Sequence, residues 1–372
     1  MARRTKSRKR AEDVYTHRRK SLARRLSGEN VDAMLLTRSF EVGYLTGYVG
    51  AGSLVVGRGW SVLVTDGVHA EQARIACDGL DVHVGVLAKS VKQLLRGRAV
   101  KRLGVHGEHV TLVEWLRLQD ALGARRLGMV GDLAGELRLV KDAQELRQIR
   151  KAVKAAEEAF RGLTRCGRKA LVGRTERQVA VELDHRMRQA GANGSAFDTI
   201  VASGAGTSQP HYRPGNRKIR LGEPVLFDWG ASVGGYLSDL TRVVFTGTIP
   251  PKIGRLYEVV RRAQAAALKA IKPGATAASV DRAGRRVIDE AGYADLFIHG
   301  LGHGLGREVH EGPPVTANNV ARLRAGMVIT VEPGIYVPRL GGVRLEDDVV
   351  VTAGGRRKLS SLPVDINEMI LR

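Results

Sequence analysis

The first third of the chain alternates short apolar runs with amphipathic ones. "VDAMLLT" (31–37), "SLVVG" (53–57), "WSVLVTD" (60–66), "DVHVGVL" (81–87) and "RLGVHG" (102–107) are rich in β-branched and aliphatic residues and each predicts a strand. Amphipathic stretches at 69–78 and 112–122 predict helices between them. Strands alternating with helices predict a small sheet flanked by helices, an α/β arrangement.

The pattern changes at "LRLVKDAQELRQIRKAVKAAEEAF" (137–160), where Leu146, Ile149, Val153, Ala156 and Phe160 mark the apolar stripe of a charged helix over 143–164. A domain boundary is therefore placed near residue 138. Beyond it one plan is used twice. Helices at 143–164 and 174–190 lead into strands. Helices at 251–271, closed by Pro273-Gly274, and at 277–291 lead into strands again. Two α/α/β halves predict a pseudo-symmetric α+β domain with a site between the halves.

Acids interrupt the strands at matching places. In "FDWGASVGGYLSDLTRVV" (227–244), a turn centred between Val233 and Gly234 puts Asp228 and Asp239 opposite each other on one face, with Cβ atoms about 5 Å apart. Phe227, Trp229, Leu240 and Val244 take the other face. Two facing carboxylates need a shared proton or a cation; otherwise one belongs to the turn and the other is solvated. The second half supplies Glu332 at the end of an apolar strand stopped by Pro333. Arg344, Glu346 and Asp348 alternate onto one face of the last strand, and His303 lies among glycines that permit close backbone approach. Four of these carboxylates, Asp228, Asp239, Glu332 and Glu346, and the His303 imidazole make a mostly hard-oxygen set suited to Mn²⁺, Co²⁺ or Zn²⁺. They exceed the needs of one cation, so two ions sharing carboxylates is the economical solution.

Composition narrows the setting. The 372 residues suffice for two cores, and no apolar run reaches the ~18 residues of a membrane span. Only two cysteines, Cys77 and Cys166, occur and they lack metal spacing, which fits a reducing cytoplasm. The formal net charge is +22, and residues 1–25 hold eleven Lys or Arg against Glu12 and Asp13. Residues 1–16 are expected to form a solvated basic arm, passing into a helix from about His17. Nucleic-acid contact by this arm is the partner its charge allows.

The order Asp228, Asp239, His303, Glu332, Glu346, with ten residues between the aspartates, resembles the ligand series of the "pita-bread" metallopeptidases. That family includes Xaa-Pro aminopeptidase, prolidase, methionine aminopeptidase and creatinase. "YLTGYVGAGSLVV" and "LVTDGVHAEQA" resemble the creatinase-type N-terminal domain of its proline-specific branch, although Val68-His69 stand where that branch usually has Arg-Tyr. The resemblance implies a creatinase-type domain over 17–138 and a pita-bread domain over 139–372. It implies Asp228 on one metal, His303 and Glu332 on the other, Asp239 and Glu346 bridging, and a water activated between the ions. Glu332 would carry protons, His310 would stabilise the oxyanion, and His211 and His299 would line the substrate pocket. Arg344 would pair with Glu346 or orient substrate, supported by Tyr336. Asp347 and Asp348 are read as ordinary strand-end charges, and His17, His69, His83, His106, His109 and His185 receive no role. The family expectation is a homodimer acting on peptides with a penultimate proline. The main reading is a Xaa-Pro aminopeptidase, because Pro313-Pro314 replace an Arg that some prolidases carry after the His-Glu pair. Prolidase is the alternative, and a basic non-catalytic binding protein of the same fold is the more distant one.

Overall fold

The computed structural model describes residues 2–372, with side chains from residue 14 onward. It divides into two compact units, Met1–Arg138 and Leu139–Arg372. The first helix, α1, spans Ala2–Arg25, so it begins before the His17 expected from the sequence. Arg, Lys and Ala dominate this stretch, and all are strong helix formers. The solvation expected for the side chains of residues 1–13 falls outside the described residues, while Val14, Tyr15 and Thr16 are half-buried.

The first unit is built on β1 (Ala33–Leu36), β2 (Ser53–Gly57), β3 (Trp60–Thr65), β4 (Asp81–Val84), β5 (Leu103–His106) and β6 (Leu127–Val130). Helices α2 (Ser39–Thr46), α3 (Ala70–Ala76), α4 (Leu87–Leu95), α5 (Leu112–Leu122) and α6 (Leu133–Arg138) accompany them. The sheet order is β4-β3-β2-β1-β5-β6. Strands β1, β2 and β3 pair antiparallel, while β1–β5, β5–β6 and β3–β4 are parallel. Met34 and Leu36 of β1 enter one apolar cluster with Leu22 and Leu26 of α1. Ala33 and Leu35 enter another, with Val91 of α4 and Leu118 of α5. Burial on both faces explains why the strand reads as an unbroken apolar run. The sequence pattern did not show α2, most of whose residues are buried, so no polar face marks its period.

The second unit opens with α7 (Ala143–Thr164) and α8 (Glu176–Gln189), each started by a reciprocal capping box, at Asp142/Glu145 and Thr175/Gln178. Strands β7 (Gly194–Ser195), β8 (Ile200–Ser203), β9 (Pro224–Trp229), β10 (Ala231–Val233), β11 (Tyr236–Leu237) and β12 (Leu240–Phe245) follow. Then come α9 (Pro251–Ala270) and α10 (Ala277–Glu290). The last strands are β13 (Gly302–Gly304), β14 (Glu311–Val315), β15 (Val328–Val331), β16 (Gly334–Val337), β17 (Gly341–Arg344), β18 (Asp347–Thr352) and β19 (Gly355–Lys358). The principal sheets are β12-β9-β8 and β14-β13-β15-β18-β19, one for each helix pair. This is the pseudo-symmetric α+β domain expected. A large apolar cluster runs through both halves, from Phe160 and Leu183 to Tyr257, Ile329 and Val349.

Two local expectations are corrected. Ser232 pairs with Leu237 and Val233 with Tyr236, so the turn is Gly234-Gly235, one residue later than expected. Both glycines have positive φ, 60° and 76°, as a tight two-residue hairpin turn requires. Asp228 therefore lies opposite Thr241, and Asp239 is displaced by two positions on the same face. The aspartates are diagonal neighbours, which moves them apart while keeping them on one side. Likewise the last strand is broken: β17 stops at Arg344 and β18 begins at Asp347, leaving Glu346 in the gap. There Glu346 forms an isolated bridge with Thr241.

Candidate metal centre and substrate cavity

Strand β9 is fixed by its apolar face. Phe160 stacks on Trp229 with centroids 4.6 Å apart, and the Trp229 indole Nε1 donates to the Ala156 carbonyl at 3.0 Å. With Phe227 and Trp229 buried on that side, strand alternation turns Asp228 to the opposite one. Asp239 precedes β12, and its backbone N–H donates to Asp348 Oδ2 at 3.0 Å. Glu346 is held twice by Thr241: its N–H donates to the Thr241 carbonyl at 3.1 Å, and its Oε2 accepts from the Thr241 hydroxyl at 2.6 Å. Glu332 follows β15, with its N–H on the Leu301 carbonyl at 2.8 Å.

His303 sits at the middle of β13 between glycines the packing demands. A Cβ on Gly302 would collide with the Thr330 carbonyl, and one on Gly304 with the Gly312 carbonyl. The His303 Nδ1 lies 3.1 Å from the Gly304 carbonyl, so Nδ1 carries hydrogen and Nε2 points inward. That Nε2 is 3.2 Å from Glu332 Oε1 and 3.6 Å from Asp239 Oδ2. One ligand atom each from Asp239, His303 and Glu346 falls within 4.8 Å of the others.

The electrostatics of this centre are those of an acid cluster short of positive charge. Burial pushes the Asp239 carboxyl well above the usual range, and Glu346, Asp228, Glu332 and Asp348 reinforce the shift. Burial also drives Glu346 well up, with Glu332 and Asp228 adding to it. Asp228 is raised by burial despite the opposing Arg344 guanidinium. For Glu332 burial acts upward, but the His303 hydrogen bond and charge outweigh it and the net direction is down. Among the described residues, three buried carboxylate oxygens of this cluster, Asp228 Oδ1, Glu346 Oε1 and Asp348 Oδ1, have no hydrogen-bond donor. Buried anionic oxygens without donors are costly, and a divalent cation is the group that satisfies several at once. The residues fit a metal centre.

Nine of the ten site residues expected from the sequence line one cavity of about 760 Å³: His211, Asp228, Asp239, His299, His303, His310, Glu332, Arg344 and Glu346. Tyr336 stands behind them, 3 % exposed. Its hydroxyl accepts from Arg344 Nη1 at 2.7 Å and lies 2.9 Å from His299 Nε2. The His299 Nδ1, 2.7 Å from the Gly300 carbonyl, carries the ring hydrogen, so Nε2 accepts from Tyr336. Burial lowers the His299 pKa. Arg344 pairs with Asp228, not with Glu346, and its Nε donates to Thr241 Oγ1 at 3.1 Å. His310 packs edge-on to His303 with centroids 4.3 Å apart, and burial lowers its pKa. Phe197, Ile200, Tyr212 and Ile298 give the cavity apolar walls, and Arg213 adds a cation.

The reading of Asp347 and Asp348 as ordinary strand-end charges is overturned, because both are fully buried. Asp348 supports Asp239, while Asp347 faces the other way into a cluster with Arg242 and Lys358. Thr241 was missed as well. The available signal was period two: Thr241 follows Asp239, and Asp348 follows Glu346, by two residues, which keeps each pair on one strand face.

A buried acid cluster built for cations, set in a partly apolar cavity between two α/α/β halves, defines a metal-dependent hydrolase of the pita-bread class. Residues 147–353 match the model of metallopeptidase family M24, and residues 18–140 match the creatinase/prolidase N-terminal domain. The chain belongs to metallopeptidase family M24. It is 33% identical over 346 residues to a Xaa-Pro dipeptidase of Pyrococcus furiosus, covering 92% of this chain and 97% of that protein. Among solved structures it resembles a Xaa-Pro dipeptidase from Bacillus anthracis (TM-score 0.91, 31% identity, 96% of this chain and 100% of that one). It also resembles an X-Pro aminopeptidase from Thermotoga maritima (TM-score 0.85, 33% identity, 92% and 99%). The family depends on a dinuclear metal centre. Among the described residues no helix is long and apolar enough to cross a membrane.

Proposed function

We propose that the protein hydrolyses the bond between an N-terminal residue and a following proline, as a Xaa-Pro aminopeptidase. Residues 139–372 carry the chemistry, residues 17–138 form the accompanying domain, and residues 1–16 stand outside it. Asp228, Asp239, His303, Glu332 and Glu346 would hold two divalent ions, with Mn²⁺ the first candidate and Co²⁺ or Zn²⁺ the others. The observation carrying this reading is the pair of buried oxygens on Asp228 and Glu346, without donors among the described residues, beside the Asp239–His303–Glu346 cluster.

When bound, the ions would supply Lewis acidity, enough to bring the pKa of a water near neutrality. Glu332 takes the proton of the attacking water and returns it to the leaving nitrogen. His310 donates to the oxygen that becomes negative as the carbonyl turns tetrahedral. A proline nitrogen has no N–H, so the substrate offers no donor there, and recognition falls to the shape of the His211–His299–Ile298 wall. The Asp228–Arg344–Tyr336–His299 chain holds that wall in register with the acids.

A cavity of about 760 Å³ is in the upper part of the range for small-ligand pockets and supports room beyond the proline. One observation favours a dipeptidase instead: Arg213 lines the cavity and pairs with no acid among the described residues, so it is available to grip a substrate carboxylate. Steady-state hydrolysis of matched Xaa-Pro and Xaa-Pro-Yaa peptides by Mn²⁺-loaded protein decides between them. Tripeptide cleavage at least equal to dipeptide cleavage supports the aminopeptidase. Cleavage of dipeptides alone, abolished by Arg213→Ala, replaces it with the prolidase reading.

A further inference from the structure

The first unit contains a second cluster with metal-ligating chemistry, unrelated to the acids of the catalytic cavity. His106 ends β5, and the chain turns at once through "HGEH". The N–H groups of His109 and Val110 both donate to the His106 carbonyl at 3.1 Å. That tight turn brings the two imidazoles face to edge, with centroids 3.9 Å apart and Nδ1 atoms 2.7 Å apart. Glu41, on the first turn of α2, places Oε1 3.4 Å from the same His109 Nδ1. One ligand atom from each of the three lies within 4.8 Å of the other two. Glu41 is fully buried and His106 is 5 % exposed, whereas the His109 side chain retains 18 % exposure, enough to admit an ion from solvent.

We propose that Glu41, His106 and His109 form a divalent transition-metal site, with Zn²⁺ the best-matched ion. Two imidazoles and one carboxylate are a borderline-soft N₂O set, which selects Zn²⁺, Co²⁺ or Ni²⁺ over Mg²⁺ or Ca²⁺. With metal–ligand bonds of about 2.0–2.1 Å, two tetrahedral nitrogens stand about 3.3 Å apart. The imidazoles have to part by roughly half an ångström, a side-chain adjustment that leaves the backbone turn in place. Asp132 adds negative charge within electrostatic reach of His109, and Arg38 and Arg138 add positive charge. The surroundings are thus of mixed sign, and binding rests on the three ligands. The ion would tie the start of α2 to the turn after β5 and so brace two elements within this unit.

The alternative occupant of this geometry is a proton, shared in a hydrogen-bonded His–His–Glu relay. Full-length wild type and a His106→Gln/His109→Asn variant, both freed of metal, are titrated with Zn²⁺ against a chromophoric chelator. The wild type takes up one equivalent more than the variant. That equivalent persists when the catalytic pocket is impaired by Asp239→Asn/Glu346→Gln. Glu41→Gln weakens it by more than the roughly 10–100-fold that loss of an outer-shell partner costs. In the impaired background Zn²⁺ raises the thermal midpoint, and adding His106→Gln/His109→Asn removes the rise. Peptidase activity with Mn²⁺ is the same in wild type and the double-histidine variant, which checks that the latter is folded. Equal Zn²⁺ stoichiometry in the two proteins overturns the proposal and leaves the proton relay. An extra equivalent insensitive to Glu41→Gln overturns the assignment of Glu41.

Discussion

Asp347 and Asp348 are consecutive, fully buried and on opposite faces of β18, and they belong to opposite electrostatic worlds. Asp347 accepts from Arg242 Nη2 at 2.7 Å, Lys358 Nζ at 2.7 Å and Gln264 Nε2 at 3.1 Å, with the Ser360 hydroxyl as a further donor. Burial alone would raise its pKa, but Arg242 and Lys358 prevail and it is lowered. Asp348 faces the acid cluster, and burial drives it well up, against its hydrogen bond from Asp239. One face of the strand has its charge neutralised by the chain itself. The other faces a cluster of acids that, among the described residues, meets only Arg344 and His303 as basic partners, and there the proposed metal ions would supply the missing charge. Burial thus does not distinguish structural from functional acids; the supply of donors does.

The largest expected effect tests the functional face. Stripping metal with a chelator abolishes peptide hydrolysis, and Mn²⁺ or Co²⁺ restores it. Glu332→Gln in fully loaded protein lowers kcat by about 10²–10⁴-fold, the usual worth of a positioned acid–base group. Retention of full turnover by Glu332→Gln would remove the proton-transfer role.

Next comes the structural face. Arg242→Met leaves Asp347 short of its buried partner and costs about 3–5 kcal/mol in denaturant unfolding, with kcat per folded molecule little changed. The same substitution producing mainly a catalytic defect would erase the distinction between the faces.

The two faces also differ in the sign of their pH dependence. Asp239 and Glu346 bind protons more tightly when folded, so in metal-free protein their effect is smallest below the ordinary carboxylate pKa. Stability falls as pH rises above it. Asp347 does the reverse: its contribution is present above its unfolded pKa and is lost as pH falls through the folded value. Urea unfolding of metal-free protein is therefore expected to show lower stability at about pH 8 than at about pH 5, with a shallower fall for Asp239→Asn. Each unit of displaced pKa is worth about 1.4 kcal/mol. A parallel slope in wild type and Asp239→Asn contradicts the assignment.

The smallest effect concerns Tyr336, which touches only the wall. Tyr336→Phe deletes one link between Arg344 and His299 and costs roughly 0.5–1.5 kcal/mol, about tenfold at most, seen in KM for proline peptides more than in folding.

How far the chain announces its own design can be judged from these residues. The helix at 143–164 appears where the apolar stripe and the Asp142/Glu145 box place it, because both signals are local. The five candidate ligands and the histidines at 211, 299 and 310 were also legible, and the structure gathers all eight in one cavity. Acids in or beside apolar strands are conspicuous in a sequence, since the hydrophobic effect would otherwise exclude them, whereas the three histidines lie in loops and came from the family resemblance. Register was not legible: whether Val233-Gly234 or Gly234-Gly235 makes the turn is a matter of one residue, and two positive-φ glycines decided it. Neither was the break between β17 and β18, nor the choice of Asp228 over Glu346 as the partner of Arg344. Sequence by itself determined which residue types are candidates for the chemistry and on which strand face they lie, because composition and period two are properties of the chain. Only the tertiary structure decided which buried acids receive donors, because Arg242 and Lys358 reach Asp347 across distances of 105 and 11 residues, and no local pattern encodes which face of β18 they approach.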